Sequence, residues 1–126
     1  MIRINPVRLA LLGGALLALS GLVYADEPAM VENGMLVDSK GMTLYTYDPD
    51  GMDKSNCYGP CAENWPPLAA EAGAVAEDDW TVVKRDDGTL QWAYYGKPLY
   101  TFIKDMKAGD ITGDGKGGVW HVAKPE

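Results

Sequence analysis

Cys57 and Cys61 are the only two cysteines of this 126-residue chain, and three residues separate them. A thiol pair can carry redox chemistry, but catalytic dithiols usually space two residues between the sulfurs at a helix N-terminus, where one thiol pKa falls. Here Gly59-Pro60 forces a turn inside the pair. No histidine follows Cys61, so haem attachment is not signalled. Two thiols and a single histidine fall short of the four ligands of structural zinc. The favoured reading is a disulfide that staples a short loop, worth roughly 2 kcal/mol in the chain-entropy description. A thiol–disulfide redox role is the alternative.

Oxygen-rich loops come next. Asp110-Ile111-Thr112-Gly113-Asp114-Gly115 resembles part of a calcium loop, in which alternate oxygens wrap a hard cation and glycine allows the sharp turn. Thr112 stands where a second carboxylate or amide belongs, and His121 occupies the twelfth position in place of a bidentate glutamate. A solvated, unliganded turn is favoured, with metal binding through Asp110, Thr112, Asp114 and His121 as the alternative. His121 is the only histidine. A copper site could join it to thioethers, but Met30, Met35, Met42, Met52 and Met106 are scattered. No cofactor is expected, with a calcium or copper ion as the alternative. Asp50 and Asp105 each follow an aromatic strand. They read either as a ligand pair or, preferably, as turn caps that bond their own backbone two residues on.

No catalytic constellation emerges. Ser39 and Ser55 lack a nucleophile-elbow context, and no phosphate-cradling loop with a Lys-Ser/Thr ending is present. The protein reads as a non-enzyme. Tyr45, Tyr47, Trp65, Tyr100, Phe102 and Trp120 could line a ligand groove, but strand alternation accounts for them as core.

The elements that must position these residues are duplicated. Gly41-Met42-Thr43-Leu44-Tyr45-Thr46-Tyr47-Asp48-Pro49-Asp50 aligns with Gly96-Lys97-Pro98-Leu99-Tyr100-Thr101-Phe102-Ile103-Lys104-Asp105 at an offset of 55, and the same offset carries Trp65 to Trp120. Alternation places Tyr45 and Tyr47 on one face and Leu44 on the other, and likewise Tyr100 and Phe102 against Leu99. Asn33-Gly34 and Asp87-Gly88 predict two-residue hairpin turns. Residues 80–85 and 90–95 predict the strands around the second turn, and Gly96-Lys97-Pro98 turns the chain into 99–103. Only Leu68–Glu77 carries a helical signal, weakened by Gly73. The fold predicted is all-β: a small antiparallel β domain, sandwich or barrel, made of two pseudo-symmetric repeats over about 31–68 and 86–123.

Residues 1–25 are set apart from that domain. Arg3 and Arg8 precede an apolar stretch, and Val23-Tyr24-Ala25 presents small or aliphatic residues at −3 and −1. This is the pattern of a cleaved secretory signal peptide, leaving 26–126 as one β domain with no stable membrane anchor. The expected location is periplasmic or secreted, where a disulfide persists. A formal charge of −7 argues against nucleic acid, whose phosphates require a basic face. The expected partner is an envelope component or a small ligand.

The Leu44–Asp50 strand, the Cys57-Tyr58-Gly59-Pro60-Cys61 loop, Trp65-Pro66-Pro67-Leu68 and the tail Gly113-Asp114-Gly115…Trp120-His121-Val122 together resemble the bacterial "secreted repeat of unknown function" family. Its members are exported proteins, many of them lipoproteins, with a Tyr-x-(aromatic)-x-x-Asp signature. The resemblance covers Met35 to Val122. It implies an envelope location and a repeat architecture, and no established activity. Two features depart from the family pattern: no lipid-attachment cysteine is present, and at the repeat offset Thr112 and Lys116 stand where Cys57 and Cys61 are in the first copy.

Overall fold

A computed structural model describes residues 28–126. The signal segment expected over 1–25 lies outside the described residues. The chain forms β1 (Met30–Glu32), β2 (Met35–Val37), β3 (Tyr45–Tyr47), α1 (Pro60–Asn64), β4 (Trp80–Lys84), β5 (Leu90–Tyr94), β6 (Lys97–Pro98) and β7 (Trp120–Val122). All pairings are antiparallel: β1 with β2, β3 with β7, and β4 with β5 with β6. The domain is therefore all-β, built of two- and three-stranded sheets rather than one large sandwich or barrel.

Turn chemistry sets these hairpins. Asn33 and Gly34 both take positive φ, at 53° and 77°, and form the expected two-residue turn. The Asp87-Gly88 expectation needs correction. Arg85 N donates to Thr89 O at 2.8 Å and Gly88 N to Arg85 O at 2.9 Å, so three residues, Asp86 to Gly88, form the loop. Asp87 Oδ1 accepts from both the backbone N and the hydroxyl of Thr89. That bonding is the side-chain-to-backbone turn typical of aspartate, and it leaves only Gly88 left-handed, at φ 89°. The turn after β5 also shifts. It is Tyr95-Gly96, at φ 51° and 78°, with Tyr94 opposite Lys97. The backbone N of Asp53 clamps the Gly96 carbonyl at 2.8 Å.

The helical expectation over Leu68–Glu77 is also corrected. No helix forms there, and the one α-helix among the described residues is Pro60–Asn64, carrying Cys61. Proline suits the first helical position, where its missing N–H would have no partner anyway.

The duplication becomes a pseudo-twofold at Tyr45 and Tyr100. These equivalent residues face each other and exchange both backbone hydrogen bonds, at 2.8 and 3.0 Å. Each repeat then gives its last extended segment to the other. Ala123 binds between Leu36 and Leu44 of the first repeat, and Leu68 binds in the matching way between Trp92 and Leu99 of the second. As alternation predicts, the two faces build separate cores. One holds Tyr45, Cys57, Trp65, Tyr100, Phe102 and Trp120, and the other holds Ala29, Leu36, Leu44, Leu99 and Ala123.

Candidate functional site

The repeat-motif aromatics meet at the pseudo-twofold axis. Trp65 and Trp120 stack almost parallel with centroids 3.8 Å apart. Tyr47 stacks outside Trp120 at 4.2 Å, and Phe102 outside Trp65 at 4.0 Å. The result is a four-ring column, Tyr47–Trp120–Trp65–Phe102. Tyr45 and Tyr100 meet the two indoles edge-on at 5.3 and 5.2 Å, a favoured arrangement for ring quadrupoles. Five of these rings are buried core, and Tyr47 packs against them part-buried.

Asp50 and Asp105 join across the axis rather than capping their own turns. Tyr45 Oη donates to Asp105 Oδ2 and Tyr100 Oη to Asp50 Oδ2, both at 2.7 Å. Each tyrosine thus binds the aspartate of the other repeat. The second carboxylate oxygen of each ties down a loop: Asp105 Oδ1 accepts from Thr112 N and Oγ1, and Asp50 Oδ1 from Asn56 N. By this bonding Thr112 corresponds to Asn56 and Gly113 to Cys57, one residue off the simple offset. Burial is the main cause that pushes both phenols above their usual range, and the adjacent carboxylates push the same way. Burial also raises Asp50 above its ordinary 3.8, against the opposing pull of Tyr100, Asn56 and the Arg85 charge.

The two copies differ in what supports the tyrosine. At Tyr45 it is the backbone N of Gly113, at 3.1 Å. At Tyr100 it is a side-chain chain that starts from buried Arg85. Arg85 Nη1 donates to Ser55 Oγ at 2.9 Å and to Gln91 Oε1 at 2.7 Å, while Nη2 donates to the Cys57 carbonyl at 2.6 Å. Because Tyr100 gives its proton to Asp50, Ser55 must donate to Tyr100 Oη, 2.7 Å away. A guanidinium is thereby linked to a carboxylate through two hydroxyls. Arg85 also lies 4.4 Å over the Tyr58 ring. Its Nε is buried with no hydrogen-bond partner, 3.9 Å from Asp87 Oδ1. The network holds the Cys57–Cys61 loop, and the disulfide is formed.

The four residues of the metal alternative are not brought together. Asp110 accepts from Met106 N, Lys107 N and Lys107 Nζ, and Lys107 holds its carboxyl below the ordinary range. Thr112 serves Asp105, and Asp114 Oδ1 accepts from Val122 N at 3.1 Å. His121 Nε2 lies 2.9 Å from Asp48 Oδ2 across the β3–β7 pair. Among the described residues no three His, Cys, Asp or Glu side chains gather as a metal site. The His121–Asp48 pair borders a groove of about 370 Å³ that also carries Lys97, Lys124 and Glu126.

A larger cleft, about 660 Å³, lies against β4 and β5. Trp80 and Trp92 form its aromatic wall, with centroids 6.3 Å apart and planes at 86°. Val75, 75% exposed, stands at its edge. Glu71, Glu77 and Asp78 line it, and no lysine, arginine or histidine does. The Trp80 ring continues to Tyr94 at 4.8 Å and then to Tyr95 at 4.7 Å, so the aromatic surface runs along β5 beyond the cleft.

The model of the family described as a "secreted repeat of unknown function" matches this chain twice, over residues 29–69 and 81–124. The chain belongs to that secreted-repeat family. No curated protein and no solved structure matches it. Among the described residues of this secreted repeat, no helix is long and apolar enough to cross a membrane.

Sequence reasoning about the secreted repeat identified the axis residues and missed the cleft. Trp80 and Trp92 read as ordinary strand residues. A signal was nevertheless present. In β5 the small Ala93 and polar Gln91 are fully buried, while the larger Trp92 and Tyr94 on the opposite face are only part-buried, Tyr94 packing with Trp80 against the second core. That pattern inverts what burial of apolar area would select, and it marks a face whose aromatics are not fully covered. Arg85 was also missed. Its cue was a lone arginine at the end of an apolar strand, where burial requires partners that sequence cannot supply.

Proposed function

We propose that this secreted repeat is a non-catalytic binding module of the bacterial periplasm, and that the Trp80–Trp92 cleft is its binding face. The observation that carries the reading is the half-exposed indole pair in a concavity of about 660 Å³. That volume is within the usual range of ligand sites, which are mostly apolar with a few polar groups. The motif aromatics and their aspartates are engaged in packing and hydrogen bonds at the pseudo-twofold axis, so they build the scaffold.

The test is a titration of the mature, disulfide-bonded protein with size-fractionated envelope extract, followed by tryptophan fluorescence. A saturable change is expected with at least one fraction. It should disappear in Val75→Arg, which fills the cleft from an exposed position, and in Trp92→Ala. A wild-type signal unmoved by every fraction, or full binding by a folded Val75→Arg protein, refutes the reading.

A further inference from the structure

The cleft also carries a statement about what it takes, one that rests on the binding reading above. We propose that it accepts an organic cation, an ammonium or quaternary ammonium head seated in the corner of the Trp80 and Trp92 rings.

The two indoles stand at 86° with centroids 6.3 Å apart, so a cation in the corner meets both ring systems. Attraction between a cation and an aromatic face acts within about 6 Å and is strongest for tryptophan. Glu71, Glu77 and Asp78 supply the second component. They lie on the cleft with no cationic side chain beside them. The ion pairs among the described residues are made elsewhere, by Asp86, Asp87, Asp110 and Asp48. Three uncompensated carboxylates beside low-dielectric aromatic walls focus a negative potential into the cleft. The chain as a whole, at −7, reinforces it.

The same lining disfavours other ligands. An anion meets three carboxylates and no basic group. An uncharged sugar gains nothing from the single sign of the lining's charge, although the carboxylates and indole N–H groups can hydrogen-bond its hydroxyls. By contrast, the His121 groove holds Lys97 and Lys124 with Asp48 and Glu126 and has no such single sign.

The probes are choline and its uncharged isostere 3,3-dimethylbutan-1-ol, titrated into the mature oxidised protein with tryptophan fluorescence as readout; spermidine is run in parallel as a primary-ammonium probe. Choline or spermidine is expected to bind saturably, at least ten-fold tighter than the isostere and more weakly as salt rises. The double variant Glu77→Gln/Asp78→Asn is expected to lose at least five-fold in affinity with its melting temperature kept. Both positions are exposed, and asparagine tolerates the positive φ of 55° at Asp78. Equal binding of the isostere overturns the cation assignment and leaves the binding face standing. So does silence from all three probes while an envelope fraction still binds. Silence from probes and fractions alike overturns both readings.

Discussion

Replacing Tyr45 by phenylalanine removes one hydroxyl from the centre of the molecule, and the cost follows from what is left behind. Two bonds vanish: the donor to Asp105 Oδ2 and the acceptor for Gly113 N. Asp105 is only 5% exposed, so water cannot readily replace the phenol. A hydrogen bond to a charged group contributes about 1.5–3 kcal/mol, and a stranded buried donor costs about 1–3. Loop relaxation offsets part of the sum, and about 3 kcal/mol is expected for Tyr45→Phe. The pseudo-equivalent Tyr100→Phe also strands a buried donor, the Ser55 hydroxyl, but the carboxylate it releases is easier to satisfy. Asp50 is only half-buried and can hydrate, while Ser55 keeps Arg85. About 1.5 kcal/mol is expected there. The assay is urea denaturation followed by near-UV circular dichroism, with equal m-values as the check that both states are comparable. Equal losses in the two variants, or a larger loss for Tyr100→Phe, would refute the claim that burial of the partner carboxylate sets the cost.

Three more expectations follow from the same structure. Reducing Cys57–Cys61 should lower the melting temperature by roughly 10 °C, from about 2 kcal/mol of loop closure, without unfolding the protein; a melting curve in reductant that lacks a transition contradicts this. Gly113→Ala should destabilise by about 1–3 kcal/mol through overpacking, because its Cβ falls 2.6 Å from Trp65 Cη2 and 3.0 Å from Phe102 Cδ2; an unchanged urea midpoint defeats it. Asp50 is raised in the folded state above its ordinary 3.8, so the folded protein holds this proton while the unfolded chain has lost it. Its contribution is then fully present below 3.8 and fades as pH rises through the folded value. Wild type should therefore gain stability over Asp50→Asn as the pH falls through that window, and a gap that widens with rising pH contradicts the assignment.

Local rules settled much of this fold before any contact was known. Period-two alternation separated Tyr45, Tyr47, Tyr100 and Phe102 from Leu44 and Leu99 because successive strand side chains must point to opposite faces. Asn33-Gly34 formed its turn because both residues tolerate positive φ. The fixed offset from Gly41 to Gly96 and from Trp65 to Trp120 revealed two equivalent units, and Cys57 and Cys61 were close enough in the chain to pair. Where local signals competed, the sequence was ambiguous. Asp87 preferred a bond to Thr89 over a two-residue turn, and the helix starts at Pro60 rather than in the Ala- and Glu-rich segment 68–77. Partnership between distant residues was decided only in three dimensions. That Tyr45 binds Asp105 and Tyr100 binds Asp50, that each repeat lends its last extended segment to the other, and that Arg85 is buried on Ser55, Gln91 and Cys57 all depend on the pseudo-twofold packing. Burial made those choices. Once the aromatic column excludes water, the buried tyrosine hydroxyls must find partners, and the carboxylates within reach belong to the other repeat. The same packing left Trp80 and Trp92 part-buried beside Glu71, Glu77 and Asp78, with Trp80 also against the second core.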